Sequence, residues 1–229
     1  MIDKFVATLD DALAGIGDGA AIMVGGFGAV GQPDLLVDAL ARKRLRDLTL
    51  IANNAGGDFG GMPKLIEQGA ITRVICSYPR ATTRTIFDDL YAEGRIELEL
   101  VPQGTLAERI RAAGAGIPAF FTPTGAGTAL AEGKEARTIH GRPCILETAL
   151  GADFALIEAW EADRWGNLTY RRSGRNFNPL MASAATVTIA CAHHRRPLGE
   201  IDPDAVMTPG LFVDRVVVIG EVVEGGLAA

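Results

Sequence analysis

Residues 22–33, IMVGGFGAVGQP, place four glycines in seven positions between an apolar run and a proline. Glycine lets a backbone approach a ligand closely, and the N–H groups opening a helix attract anionic or carbonyl groups. Residues 26–31 fit the pattern G-x-G-x-x-G, so phosphate or carbonyl binding is the chemistry on offer. Three readings compete. A dinucleotide site also wants an acidic side chain at the end of the next strand, to hold the ribose hydroxyls. Here LTLIANN (48–54) ends in Asn53 and Asn54, and the nearby acid, Asp47, stands at its beginning. A tight strand-to-helix turn without a ligand needs only glycine's φ freedom. A cradle for some other anionic or carbonyl group uses the same N–H donors without a nicotinamide.

Other side chains could do chemistry. Gln103, in VPQGT, directly follows the stretch 96–101, and ligands of open α/β sheets bind at such strand ends. Its neutral amide can donate to an oxyanion, or it simply closes the loop onto backbone. Arg80, after CSYP, ends the stretch 72–78. Its forked guanidinium suits a carboxylate, although a surface ion pair is the commoner fate of an arginine. Arg171, Arg172 and Arg175 form a basic cluster that could be a solvated loop, a partner contact or a phosphate site. Cys191, His193 and His194 invite a metal reading, but adjacent histidines on a strand point apart and no second ligand pair follows; no metal is expected. Cys76 has no evident histidine partner and reads as core packing.

These residues must be positioned by regular elements. Phe5, Leu9, Leu13 and Ile16 recur at helical spacing and predict an amphipathic helix over 4–16. Residues 20–24 read as a strand, and Pro33 suits the first turn of a helix with Leu35, Leu36, Ala39 and Leu40 on its buried face. Residues 48–54 are a second strand, 63–69 a short helix, 72–78 a third strand, 84–93 a helix, and 96–101 a strand with one wet face. The alternation predicts an α/β fold with an open, mostly parallel sheet and helices on both faces. Residues 114–128, dense in glycine and proline, read as a packed loop over a site. Residues 136–146 read as a hairpin about His140 and Gly141. Residues 154–160, 186–192 and 214–223 read as strands. With no internal repeat and no charged linker, a single domain over 1–229 is expected.

Of 229 residues, 48% are hydrophobic and 22% charged, ample for a buried core. The net charge of −6 argues against a nucleic acid or an anionic membrane as the main partner. No apolar run approaches the roughly 20 residues that cross a bilayer. The acidic N-terminal stretch lacks the features of a secretory or transit signal, so a cytoplasmic location is expected. Three cysteines without CxxC spacing fit reduced thiols.

Longer blocks carry a resemblance. DGAAIMVGGFGAVGQP (18–33) resembles the N-terminal signature of the family I CoA-transferases. NNAG (53–56), the run 97–128, GRPCILE (141–147), ADRWGNLTYRRSGRNFNPLMA (162–182) and TPGLFVDRVV (208–217) resemble further blocks of that family in the same order. The chain is similar to the A (alpha) subunits of its 3-oxoacid branch. ICSYPR (75–80) and DRWGNLTYR (163–171) are most like the members acting on 3-oxoadipate; those acting on acetoacetate are the alternative, and a non-catalytic CoA-binding protein or a Rossmann-type dinucleotide-binding protein is the alternative of another class. The resemblance implies a ping-pong exchange in which a glutamate carboxylate attacks succinyl-CoA. It places that glutamate in a B subunit, within Glu-Asn-Gly, and this tripeptide is absent here. It therefore implies half an active site, a B-subunit partner and a heterotetramer of two A and two B chains. CoA is then a substrate, with no permanently bound cofactor. Gln103 becomes the oxyanion donor, and Gly25, Gly26, Phe27, Gly28, Ala29, Val30 and Gly31 the CoA-binding loop. Arg80 is a candidate for the distal carboxylate of a dicarboxylic substrate. Glu147 sits in a matching block, but nothing local demands catalysis of it.

Overall fold

The computed structural model describes residues 2–55, 61–79 and 83–221. The strands are β1 (Ala21–Val24), β2 (Leu48–Ala52), β3 (Ile71–Cys76), β4 (Glu97–Leu100), β5 (Ala119–Thr122), β6 (Ala136–Ile139), β7 (Arg142–Thr148), β8 (Ala152–Ala162), β9 (Leu168–Thr169), β10 (Ala185–Arg195) and β11 (Arg215–Val218). The helices are α1 (Leu9–Ala12), α2 (Asp34–Arg42), α3 (Met62–Glu67), α4 (Ile86–Ala92), α5 (Gln103–Gly114) and α6 (Asn178–Ala184). The principal sheet runs β11-β10-β8-β1-β2-β3-β4, all parallel, with β9 antiparallel on β8. The expected α/β architecture is therefore present.

Strand alternation explains why both faces are covered. Ile22, Val24, Leu50, Ala52, Val74, Cys76, Leu156, Ile189 and Cys191 face one way, against side chains from α1 to α4. Met23, Ile51, Ile75, Ala155, Ile157 and Ala190 face the other way, against Leu106 and Ile110 of α5 and Met181 and Ala182 of α6. β1 lies between β2 and β8, so the chain order reverses beside it. Its carboxyl end is the switch point of the sheet, where such folds bind ligands.

Three expectations need correction. The apolar spacing over 4–16 gives only the short α1, because Thr8 caps at Leu9 and accepts from the Asp11 N–H. Residues 4–6 instead extend along β11, with the Val6 N–H on the Val216 carbonyl at 2.9 Å and the Val216 N–H on that of Lys4 at 2.7 Å. The edge strand offers these groups ready-made partners, and that outweighs local periodicity. Residues 114–128 are not simply a loop: β5 emerges there and pairs antiparallel with β7, building a second sheet β5-β7-β6. The last strand ends at Val218 rather than at 223, of which residues 222–223 lie outside the described residues. The hairpin at His140 and Gly141 forms as expected, both residues having positive φ, 49° and 75°.

An ion network joins the two sheets. Arg109, 7% exposed, donates Nη1 to Glu99 Oε1 of β4 at 2.6 Å and Nε to the Thr148 carbonyl of β7 at 2.8 Å. Arg73 holds the other Glu99 oxygen at 2.8 Å, and Lys134 holds the buried Glu147 at 2.6 Å. Glu147 thus has a structural partner set. The acidic face of β4 is wet at Glu97, 69% exposed, while Glu99 meets Arg73 and Arg109. Burial alone would raise the Glu99 carboxyl, but hydrogen bonds and charge from Arg109 and Arg73 outweigh it and hold it below its ordinary 4.5. A depressed carboxyl contributes stability that is present above its unfolded value and is lost as pH falls through its folded value. Glu99→Gln is therefore expected to lower stability at pH 7 and to flatten the loss of stability below about pH 4.5. Thermal midpoints measured across the acid range check this; parallel curves for both proteins would refute it.

Candidate active site

The glycine loop leaves β1 at the switch point. The Gly25 N–H crosses to the Leu156 carbonyl of β8 at 2.9 Å. Phe27 and Val30 exchange backbone hydrogen bonds at 3.0 and 3.2 Å around a two-residue turn at Gly28 and Ala29. Two asparagines just before and at the start of α6 brace this turn. Asn176 accepts from the Gly26 N–H at 3.1 Å and donates to the Val30 carbonyl at 2.9 Å. Asn178, fully buried, donates to the carbonyls of Gly31 and Gly174, each at 2.9 Å, and accepts from the Glu158 N–H at 3.0 Å. A Cβ on Gly25 would overlap Asn178 Oδ1, and one on Gly31, at φ +68°, would meet the Gly174 carbonyl at 2.5 Å. The Gly28 N–H reaches Asn54 Oδ1 at 3.2 Å.

These bonds revise the expected cradle of free donors. The N–H groups of Gly25, Gly26, Phe27, Gly28 and Val30 are all engaged within the protein. At the start of α2, Pro33 has no N–H and Asp34 sits on the positive end of the helix dipole. The loop presents side chains instead: Phe27 is 51% exposed and Val30 48%. The turn is braced, and its exposed tip, Phe27 and Val30, is apolar.

Gln103 opens α5 directly after Pro102, at the carboxyl end of β4. Its Nε2 donates to Asn53 Oδ1 at 2.7 Å, and Ser77 Oγ lies 2.8 Å from the same oxygen. Asn53 and Ser77 follow β2 and β3. Because the strands are parallel, these residues emerge on the same side of the sheet as the glycine loop. Gln103 and Phe27 share the wall of an open cavity of about 310 Å³, with Ala107, Asn176, Phe177 and Leu180. A neutral donor at the rim of an apolar pocket is the arrangement that stabilises developing charge on a bound carbonyl. Sequence reasoning named Gln103 and the loop, and the structure brings Gln103 and Phe27 to one cavity. That reasoning missed Ser77, Asn176 and Asn178, and it weighed Asn53 only for not being an acid. The paired asparagines of NFN (176–178) were the available signal.

The remaining candidates separate. Arg80 lies outside the described residues. Arg171 stacks over Trp160 at 4.6 Å, and Arg172 and Arg175 are exposed on the turn whose Gly174 abuts the glycine loop. His193 and His194 do not simply point apart: their ring centroids lie 5.3 and 4.4 Å from that of Trp160. His193 also meets Glu158 at 3.3 Å. Burial pushes the Glu158 carboxyl up, against the pull of His193. Cys76, Cys144 and Cys191 are buried, and burial pushes the Cys76 and Cys191 thiols to about 12, which leaves them without nucleophilic thiolate at neutral pH. Among the described residues no helix is long and apolar enough to cross a membrane.

The chain is similar to known proteins over nearly its whole length. The chain is 53% identical over 228 residues to the A subunit of 3-oxoadipate CoA-transferase from Pseudomonas putida, covering 100% of this chain and 99% of the relative. It is 54% identical to the protein of that name from Acinetobacter baylyi, covering 95% of each. It is 45% identical to the A subunit of succinyl-CoA:3-ketoacid coenzyme A transferase from Helicobacter pylori, covering 94% and 92%. The fold matches glutaconate coenzyme A-transferase from Acidaminococcus fermentans with a TM-score of 0.82 at 23% identity, covering 94% of this chain and 75% of that one. It matches an Escherichia coli acyl-CoA transferase, solved as a thioester complex with CoA, with a TM-score of 0.81 at 22% identity; the match covers 95% of this chain and about half, 47%, of that one. The model of the family described as coenzyme A transferase matches residues 6–218, nearly the whole of the folded chain, and the chain belongs to that family.

Proposed function

We propose that the chain is the A (alpha) subunit of a cytoplasmic CoA-transferase that moves CoA from succinyl-CoA to 3-oxoadipate, folded as a single domain and paired with a B subunit in a tetramer of two A and two B chains. The B subunit supplies a glutamate, which attacks the thioester carbonyl of succinyl-CoA. The tetrahedral oxyanion collapses, expelling the CoA thiolate and leaving an acyl-glutamyl anhydride. The thiolate attacks the glutamyl carbonyl, releasing succinate and forming a glutamyl-CoA thioester. The 3-oxoacid carboxylate then reverses the two steps and departs as its CoA thioester. Each step passes through an oxyanion, and Gln103 donates to it. The loop over residues 25–31 holds the CoA chain by contact, through Phe27 and Val30. Arg80 meets the distal carboxylate of the dicarboxylic substrate.

The observation that most supports this reading is the match, end to end and above half identity, with two relatives named as the A subunit of 3-oxoadipate CoA-transferase. The absence of Glu-Asn-Gly from this sequence supports a nucleophile on another chain. Acetoacetate in place of 3-oxoadipate is the second reading, favoured by the 45% identity to the Helicobacter pylori protein. The chain is expressed alone and with a B subunit, and CoA transfer from succinyl-CoA to each acceptor is followed. Activity in the pair only, greater with 3-oxoadipate, is the expected result. Transfer by the chain alone would put the nucleophile in this polypeptide and overturn the half-site reading. A preference for acetoacetate would replace the acceptor, and Arg80→Ala leaving the acceptor preference unchanged would remove Arg80 from the site.

A further inference from the structure

Gln103 is exposed and stands on the first turn of α5, with three rotatable side-chain bonds. Left free, its amide would spend most of its time away from any one donor position, at the rotamer cost of a long polar side chain. Something must hold it. The contact that does so is Asn53 Oδ1, 2.7 Å from Gln103 Nε2. Asn53 is 4% exposed, so it is itself held by the fold rather than by water. Its orientation is set by Ser77. The Ser77 and Tyr78 N–H groups already occupy the Asn53 backbone carbonyl, at 3.1 and 3.0 Å. The Ser77 hydroxyl lies 3.0 Å from that carbonyl and 2.8 Å from Asn53 Oδ1, and with the carbonyl already taken by two N–H donors the side-chain oxygen is the open acceptor. Asn53 Oδ1 thus receives two donors, one from the end of β3 and one from the end of β4, across the end of β2. One hydrogen of Gln103 Nε2 is consumed in this way, and the second is left aimed by the planarity of the amide.

We propose that Ser77 is a positioning residue, which acts through Asn53 to fix the Gln103 amide with one N–H free for the reacting carbonyl. The inference rests on the oxyanion role given to Gln103 above. Displacing a catalytic group by a fraction of an ångström to an ångström is enough to cost up to about 10²-fold in rate. Ser77→Ala removes the second donor but leaves Asn53 in place, so the expected loss in kcat is smaller, about tenfold, with KM for succinyl-CoA unchanged.

The test is a double-mutant cycle on the enzyme assembled with its B subunit, using Ser77→Ala, Gln103→Ala and the pair together. Asn53→Ala, alone and with Gln103→Ala, is the second route to the same link if Ser77→Ala fails to assemble. Expected are a fall in kcat for each single variant and no further fall when Ser77→Ala is added to Gln103→Ala, since a residue acting through Gln103 has nothing left to position. A merely structural serine would lower kcat in both backgrounds or alter KM. Equal losses in the two backgrounds, or full activity of Ser77→Ala, would overturn the positioning role while leaving Gln103 standing. Full activity of Gln103→Ala would overturn the oxyanion reading, and the positioning role with it.

Discussion

Gln103→Ala, assembled with its B subunit, is expected to lose about 10²–10³-fold in kcat, the usual effect of deleting one preorganised oxyanion donor. The direction follows from charge. Thioester, anhydride and acyl-glutamyl species are neutral at the carbonyl that is attacked, and each attack places a negative charge on its oxygen. A donor held at the rim of a pocket lined by Phe27, Phe177 and Leu180, with Asn53 fixing its position, needs no reorganisation as charge develops. It therefore strengthens its bond as the charge develops. The ground-state carbonyl gains much less, so KM for succinyl-CoA should change little. Gln103→Glu is expected to be worse than alanine, because a carboxylate repels the oxyanion that the amide attracts. Steady-state kinetics on the paired enzyme separate these effects. Loss confined to KM would make Gln103 a binding residue.

The second large effect concerns the loop itself. Gly25→Ala is expected to destabilise the chain by about 3–5 kcal/mol, because two or three buried groups lose their partners at about 1–3 kcal/mol each. The new methyl would occupy the position of Asn178 Oδ1. Asn178 is fully buried and bonds the Glu158 N–H and the carbonyls of Gly31 and Gly174, so it cannot turn away without breaking three hydrogen bonds at once. Overlap with a far end of a flexible surface side chain would cost little; overlap with this asparagine does not. For a chain of this size the loss corresponds to a fall of about 10 °C in Tm. Gly28→Ala is the control: a Cβ there meets nothing within 4 Å, although its φ of +60° carries a strain of its own. A Gly25→Ala protein that melts within a degree or two of the parent would show that the loop has room to move.

The parts of this molecule that were legible in its sequence are those whose cause is local. Ile22, Met23 and Val24 form an unbroken apolar run because both faces of β1 are covered, and that run marks a buried parallel strand. His140 and Gly141 announced their hairpin because both must take positive φ. Gln103 could be placed at a strand end because the strand before it was readable. The spacing of Phe5, Leu9, Leu13 and Ile16 misled, since burial against an edge strand and a short capped turn satisfies the same apolar positions as a long helix. The helix α5 carried a signal in Leu106 and Ile110, four residues apart between Pro102 and Gly114, that the pattern reading passed over.

The sequence by itself determined the strand–helix alternation, the two-faced core and the incompleteness of the dinucleotide fingerprint. Each depends on residue type and spacing along the chain. Only the tertiary structure decided how the glycine loop is held and what it presents. Asn176 and Asn178 stand about 150 residues from the glycines that they brace, and Asn53 stands 50 from Gln103. Parallel pairing brings the ends of β1 to β4 to one side of one sheet, and hydrogen bonding there engages the loop amides of Gly25, Gly26, Phe27, Gly28 and Val30. Periodicity reports which face of an element is buried; which distant partner takes up a donor is settled only when the elements pack.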